Sequence, residues 1–260
     1  MTTPLAATVR GEGGAPIVLI HGLTFSSRTW DPIADRLAAR HRVIAVDLPG
    51  HGDSGGSAAD INAVGERLQV TLDRLDVERP VVVGHSAGAM TALGFAAGHP
   101  VSGVVNVDQP LLVGPFAGML QQLADQLRGP NFEQAFAPFE QSIGIAQLPA
   151  GERERVGATR RVRQDVVLDS WHLPMTTPPD ELQAMVDGML AAVDAPYLYV
   201  AGNELPPPVS AHLQSHLRRL QVVTWPGTGH LVHLVEPERF AALVSEFADE
   251  SAAIAASKDL

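Results

Sequence analysis

The chain contains no cysteine. That excludes disulfides, thiolate metal sites and a cysteine nucleophile, and leaves covalent chemistry to serine, threonine, lysine or aspartate. Positive charge is also short: 18 Lys and Arg stand against 29 Asp and Glu, a formal net charge of −11. Such a chain repels nucleic-acid phosphates and anionic membrane surfaces. The one basic cluster, Arg153 to Arg163 (RERVGATRRVR), reads as a solvated helix face. No apolar stretch reaches membrane length, and the opening MTTPLAATVRGEGG lacks a charged segment followed by an apolar one, so a cytoplasmic location is expected. There is no internal repeat, and only the Ala-rich tail Ser251 to Ser257 is of low complexity. With 260 residues, 45% of them hydrophobic, the chain can build one large core, or one core carrying an inserted subdomain.

What is present centres on Val81 to Gly94, VVVGHSAGAMTALG. An apolar run, the turn Gly84-His85-Ser86-Ala87-Gly88 and small residues at helical spacing predict a buried strand, a tight turn with Ser86 at its apex, and a helix. Two glycines flanking a serine at a distance of two suit such a turn, because the strained backbone leaves no room for neighbouring β-carbons. A hydroxyl attacks poorly at neutral pH, so a nucleophilic Ser86 requires a base, an acid that orients the base, and oxyanion donors. Without those partners the segment is an ordinary Gly-Ser turn.

Along the chain, Ile17 to Ile20 is a short apolar run without alternation, as in a strand covered on both faces, and it ends at His21-Gly22-Leu23-Thr24. Ser26 to Arg40 has helical spacing, Arg42 to Val46 reads as a strand, and Leu48 to Ser54 is a turn-rich loop. Asp60 caps an amphipathic helix to Leu75. Strand Pro80 to Gly84, helix Ala87 to Ala97 and strand Ser102 to Val107 continue the alternation, which predicts a mostly parallel central sheet with helices on both faces. From Gly114 to about Val193 the pattern is helical and contains no convincing strand. Met119, Leu120, Leu123 and Leu127 share one helix there, and Leu182, Met185, Met189 and Leu190 another. This insertion, residues 113–193, is too long for a loop and is read as a helical cap on a core of residues 1–112 and 194–260. The sheet resumes at Ala195 to Ala201. A Pro-rich turn, a helix from about Val209 to Arg219, strand Leu220 to Trp225, the loop Pro226 to His230 and a helix from Pro237 follow. Ser257 to Leu260 are expected to fray.

His21-Gly22, Asp47-Leu48-Pro49-Gly50-His51-Gly52-Asp53-Ser54, Gly84-His85-Ser86-Ala87-Gly88 and Gly229-His230-Leu231-Val232-His233 resemble, in order and spacing, the α/β-hydrolase family. The resemblance covers nearly all of the chain outside the cap. It implies a sheet of eight strands or slightly fewer, with little room before Ile17 for the usual first hairpin. It implies Ser86 as nucleophile, His230 as base, and the backbone N–H groups of Leu23 and Ala87 as oxyanion donors. His21, His51 and His85 then brace the turns. His233 lies three residues from His230, a spacing that could serve a metal pair, but no further ligands lie nearby and no metal or cofactor is expected.

The acid departs from the family pattern. Gly-x-x-Asp is expected after the strand ending at Ala201, whereas Gly202-Asn203-Glu204-Leu205 puts leucine at the carboxylate position. Glu204 stands one residue early. Asp108 ends the strand after the nucleophile's helix, and Val107-Asp108-Gln109-Pro110 resembles the acid-bearing segment of zearalenone-type lactonases. Asp108 is therefore preferred, with Glu204 as the alternative.

The resemblance implies a serine hydrolase of a carboxylic ester or lactone that needs no cofactor. The apolar cap points to a hydrophobic small-molecule substrate, with Trp171 and Met119 as candidate pocket walls. No nucleic acid or membrane partner is expected, and a homodimer is left open. Carbon–carbon bond hydrolases and cofactor-free perhydrolases use the same triad and stay open, as does a ligand-binding protein of this fold that does not turn its ligand over.

Overall fold

The computed structural model describes residues 2–258, with the side chain of Lys258 outside that description. The chain runs β1 (Ala7–Arg10), β2 (Ile17–Ile20), α1 (Asp31–Leu37), β3 (Val43–Val46), α2 (Ile61–Arg74), β4 (Val81–His85), α3 (Ala87–Gly98) and β5 (Gly103–Val107). Helices α4 (Gly114–Arg128), α5 (Phe132–Ser142), α6 (Ala150–Thr159), α7 (Gln164–Ser170), α8 (His172–Thr176) and α9 (Pro179–Ala192) come next, with no strand among them. Then β6 (Tyr197–Ala201), α10 (Pro207–His216), β7 (Leu220–Thr224), α11 (Val232–Val235) and α12 (Pro237–Lys258) complete the chain.

The strands form one 7-stranded sheet in the order β1-β3-β2-β4-β5-β6-β7. All neighbours are parallel except β1, which pairs antiparallel with β3, Ala7 opposite Val46. This edge strand was not expected from the sequence. Its burial is slight and its alternation weak, and it pairs with β3, so no β1–β2 hairpin is needed.

Burial follows the pleat. Val18, Ile20, Val82, Val104, Tyr197 and Tyr199 join one apolar layer under α2, α3 and α9, together with Leu68, Leu93 and Leu190. Their neighbours Ile17, Leu19, Val81, Val83, Val105 and Leu198 enter the opposite layer with Ile33, Phe240 and Val244 of α1 and α12. Because both faces are covered, the central strands read as unbroken apolar runs. A third cluster, built from Leu120, Leu127, Phe132, Phe136, Val167 and Trp171, belongs to α4, α5 and α7 and the α7–α8 junction.

Three boundaries differ from the sequence reading. The helix expected over residues 26–40 is a 3₁₀ turn, Ser27–Trp30, followed by α1, whose start is set by Pro32. α10 begins two residues before Val209, inside the proline run, because a first-turn proline gives up no helical hydrogen bond. α12 continues through the Ala-rich tail to Lys258 instead of fraying from Ser257; Asp259 and Leu260 lie outside the described residues. The tail holds because Ala248 and Ser251 are buried, Ser251 lying where a β-carbon on Gly103 would come within 2.9 Å of its Oγ. No helix among the described residues is long and apolar enough to cross a membrane.

The Ser251 hydroxyl is buried without a hydrogen-bond partner among the described residues. Ser251→Ala should therefore raise the unfolding free energy by about 1 kcal/mol, read from the urea midpoint. Ser251→Lys should cost about 3 kcal/mol or more by burying an unpaired charge. Equal midpoints for the two variants would show that the tail is not packed.

Candidate active site

Ser86 stands between the last residue of β4 and the first of α3, with φ 51° and ψ −125°. A serine in that region stores roughly 1–3 kcal/mol of backbone strain. The surroundings impose it: a β-carbon on Gly84 would lie 2.2 Å from the Gly88 carbonyl oxygen, and one on Gly88 2.4 Å from that of Ile20. Only glycine at both positions lets strand and helix close so tightly around the serine. The Ser86 N–H donates to Val107 O at 3.1 Å. Ala87 opens α3, so its N–H has no partner within the helix.

On the neighbouring strand, Asp108 follows β5 with φ 55°, its N–H donating to Val200 O at 2.8 Å. Buried Asn106 fixes this turn by accepting the Gln109 N–H at 2.9 Å and donating to the Gln109 carbonyl at 3.1 Å. The Asp108 carboxylate reaches across β6. Oδ1 accepts the Gly202 N–H at 3.0 Å, and Oδ2 accepts from His230 Nδ1 at 2.8 Å. With its Nδ1 proton committed there, His230 presents Nε2 as its free lone pair. Ser86 Oγ makes no hydrogen bond to His230 in this structure, but both residues line one cavity. Such bonds are often long without substrate.

The loop carrying His230 is anchored through Gly229, whose N–H reaches Gly202 O at 3.4 Å. His85 Nε2–H donates to the His230 carbonyl at 3.0 Å. The His85 ring lies between those of His230 and His233, at 4.7 and 4.5 Å. His233 is wholly buried, and neither ring nitrogen has a hydrogen-bond partner among the described residues. No group of three or more His, Asp or Glu able to hold a metal exists among the described residues.

Leu23 follows Gly22 in the turn beside Ser86, closed by Phe25 N–H donating to Gly22 O at 3.2 Å. Thr24 in that turn has φ 70°, a conformation rare for a β-branched residue. Two histidines brace the region. His21 Nδ1–H donates to Gly22 O at 2.8 Å while Nε2 accepts the Leu48 N–H at 3.0 Å. His51 Nδ1–H donates to Pro49 O at 3.0 Å while Nε2 accepts the Thr24 N–H at 3.2 Å. Each ring uses one donor and one acceptor, so each must be neutral. Burial pushes His21 down from 6.5 to about 3, lowers His51, holds His85 well below 6.5 and brings His233 to about 3.

The cavity above the sheet edge has a volume of about 990 Å³. Leu23, Ser86, Ala87, Asp108 and His230 form its floor; Phe25, Phe116, Phe136, Phe139 and Trp171 line one side, and Ile61, Met90, Leu182, Met185 and Met189 line another. Asp108 is the only carboxylate among the lining residues, and no Lys or Arg joins them. Trp171 is among these lining residues. Met119 is not: it is 40% exposed, because one helical step of about 100° from buried Leu120 carries it off the packed face of α4. Glu204 is exposed and accepts from Thr224 Oγ1 at 3.4 Å, away from His230, while Leu205 packs on the sheet core. The sequence reading missed Asn106, Gly202 and the contacts of Arg160. An Asn two residues before an Asp at a strand end is a local Asx signal that could have pointed to the first. The basic run is a solvated face only in part, with Arg153, Arg161 and Arg163 exposed. Arg155 donates to the carbonyls of Arg28 and Thr29, and Arg160 turns inward to Thr24.

A parallel sheet with a strained serine between strand and helix, beside a histidine–carboxylate pair, defines a protein of the hydrolase class. The chain belongs to the alpha/beta hydrolase family, whose model matches residues 17–243. It is 27% identical over 260 residues to the pimeloyl-[acyl-carrier protein] methyl ester esterase of Yersinia enterocolitica, covering 93% of this chain and 96% of that protein. It is 41% identical over 88 residues to a dihydrolipoyllysine-residue acetyltransferase component of the acetoin cleaving system of Pseudomonas putida; that match covers 33% of this chain and only 24% of the longer relative. Among solved structures, a hydrolase from Pseudomonas aeruginosa superposes with a TM-score of 0.76 at 21% identity, over 94% of this chain and 93% of that one.

The depressed histidines set the acid limb of stability. His21, His51, His85 and His233 stay neutral in the fold, whereas in the unfolded chain each takes up a proton below about 6.5. Their stabilisation is complete above that pH and is lost as pH falls, down to about 3 for His21 and His233, at up to about 1.4 kcal/mol per pH unit for each ring. Urea midpoints should fall steeply from pH 6.5 to 4.5, and His233→Phe should make that slope shallower. A flat profile for the wild type would show that these rings are solvated.

Proposed function

We propose that the protein hydrolyses a carboxylic ester or lactone of a hydrophobic small molecule through an acyl-enzyme on Ser86. The observation that carries this reading is the 2.8 Å hydrogen bond between His230 and Asp108 on the floor of the cavity that Ser86 also lines. In this mechanism His230 Nε2 takes the Ser86 proton as Oγ attacks the acyl carbonyl carbon, and Asp108 stabilises the imidazolium. The N–H groups of Leu23 and Ala87 hold the oxyanion. Collapse of the tetrahedral intermediate expels the alkoxide, which leaves with the proton from His230. His230 then deprotonates water, whose oxygen attacks the acyl carbon, and the carboxylic acid departs as Ser86 recovers its proton.

The substrate class rests on the cavity and the relatives. Its aromatic and thioether lining and its lack of lysine or arginine suit an uncharged, largely apolar molecule of up to drug size. The Yersinia relative, similar over nearly its whole length, is named for a methyl ester. Residues 113–193 act here as a cap that closes the cavity over a core of 1–112 and 194–260, since α4, α5, α9 and the α7–α8 junction supply most of the residues of both walls, beside Phe25, Ile61 and Met90 of the core.

Labelling by a serine-reactive fluorophosphonate, followed by intact mass, tests the reading without a chosen substrate. The wild type should gain one probe mass, and Ser86→Ala none. Asp108→Asn should slow labelling by about 10³–10⁴-fold, because His230 loses the partner that fixes its tautomer. Glu204→Gln should stay within about twofold of the wild type. Normal labelling of Asp108→Asn, or none in the folded wild type, would sink the proposal.

A further inference from the structure

Thr24 occupies the third position of the turn Gly22 to Phe25 at φ 70°, where such turns favour glycine. Left to itself, a β-branched residue there relaxes by turning over the peptide that joins it to Leu23. Three tethers oppose this, and all come from outside the turn. The Thr24 N–H is held by His51 Nε2, its carbonyl accepts the Arg161 N–H at 3.0 Å, and its Oγ1 accepts from Arg160 Nε at 2.8 Å. Arg160 and Arg161 directly follow α6, so two of the three tethers belong to the helical segment between β5 and β6.

Arg160 is placed for this role. Its side chain is only 10% exposed, Nη1 donates to Glu140 Oε1 at 2.6 Å, and its Cζ lies 5.7 Å from the centroid of the Phe25 ring. Nη2 is buried without a partner among the described residues, a loss the fold accepts only where the other contacts outweigh it. Phe25 lines the cavity and packs edge-on against His85. One guanidinium therefore fixes both residues that follow Leu23.

We propose that Arg160 is a positioning residue that holds the strained Thr24 turn, and through it the Leu23 N–H, in the geometry that receives the oxyanion. The inference rests on the serine-hydrolase reading of the site. Arg160 touches no reacting atom; it makes the oxyanion donor depend on the helical segment being seated on the sheet.

The test compares Arg160→Met, Arg160→Lys and Thr24→Val, and Arg160→Met in a Thr24→Gly background, in which the residue at position 24 adopts φ 70° without strain. Saturation kinetics of fluorophosphonate labelling and hydrogen exchange of residues 20–26 are the readouts. Arg160→Met should lower the maximal labelling rate at least tenfold, leave the half-saturating probe concentration within twofold, and raise exchange in residues 20–26. Arg160→Lys should recover part of the rate. Thr24→Val, which keeps the branched side chain but removes the acceptor, should behave like Arg160→Met and carries the test if that variant does not fold. In the Thr24→Gly background, Arg160→Met should change the rate less than twofold. Equal losses in both backgrounds, or wild-type labelling by Arg160→Met and Thr24→Val, would overturn the proposal while leaving the serine-hydrolase reading intact. If the wild type itself is not labelled, that reading fails, and unchanged exchange in Arg160→Met then overturns the positioning role as well.

Discussion

The site depends on a contact between two loops that have almost no space between them. A β-carbon on Gly202 would lie 1.8 Å from the carbonyl oxygen of Gly229. Because neither residue carries a side chain, the exits of β6 and β7 touch. At that point the Gly202 N–H satisfies one oxygen of Asp108 while its carbonyl receives the Gly229 N–H. The other oxygen of Asp108 is then aimed at the imidazole one residue further on. Sheet order, the tight loops and the histidine–carboxylate bond are thus one constraint. The parallel register of β4, β5 and β6 sets the heights of Ser86, Asp108 and Gly202, and the glycine contact brings His230 down to them.

The surrounding polar shell consists of imidazoles used as neutral hydrogen-bonding units. His21 and His51 each join a carbonyl to an N–H of a neighbouring loop, and His85 ties strand β4 to the loop that carries His230. A lysine or carboxylate in these places would bring a full charge into the interior, whereas a neutral imidazole offers one donor and one acceptor without it. The cost falls on His233 and the Nδ1 of His85, buried nitrogens with no hydrogen-bond partner among the described residues; His233 is held by packing against the rings of Trp30 and His85.

Much of this was legible in the sequence where one local rule decides the outcome. Apolar runs such as Ile17 to Ile20 and Val81 to Val83 could only be strands covered on both faces, and Gly84 and Gly88 around Ser86 announced the tight turn. The pairing of Asp108 with His230 was expected only through the family resemblance, from the leucine at the usual acid position 205 and the likeness of Val107-Asp108-Gln109-Pro110 to an acid-bearing segment. What stayed hidden depends on partners distant in sequence. β1 is defined by its pairing with β3, α12 extends because Gly103 leaves room for Ser251, and Arg160 is buried because a threonine 136 residues earlier accepts its Nε. Composition cannot separate an arginine on a solvated helix face from one that reaches a carbonyl or hydroxyl under the helix. Met119 shows the same limit on a smaller scale, since the phase of α4 is set by what it packs on.

The carboxylate that meets His230 directly follows β5, beside the strand that leads into Ser86, and does not lie in the loop after β6. Both side chains therefore project from positions just past the last pair, His85 opposite Val107, of one hydrogen-bonded ladder in the middle of the sheet. Asn203 to Pro206 is left with no side chain to deliver to the site beyond Asn203 at the cavity rim. Sequence change in that loop is thereby released from the histidine–carboxylate pair. A lineage with this arrangement can lengthen, shorten or recompose the mouth of its cavity there while Ser86, Asp108 and His230 below keep their spacing.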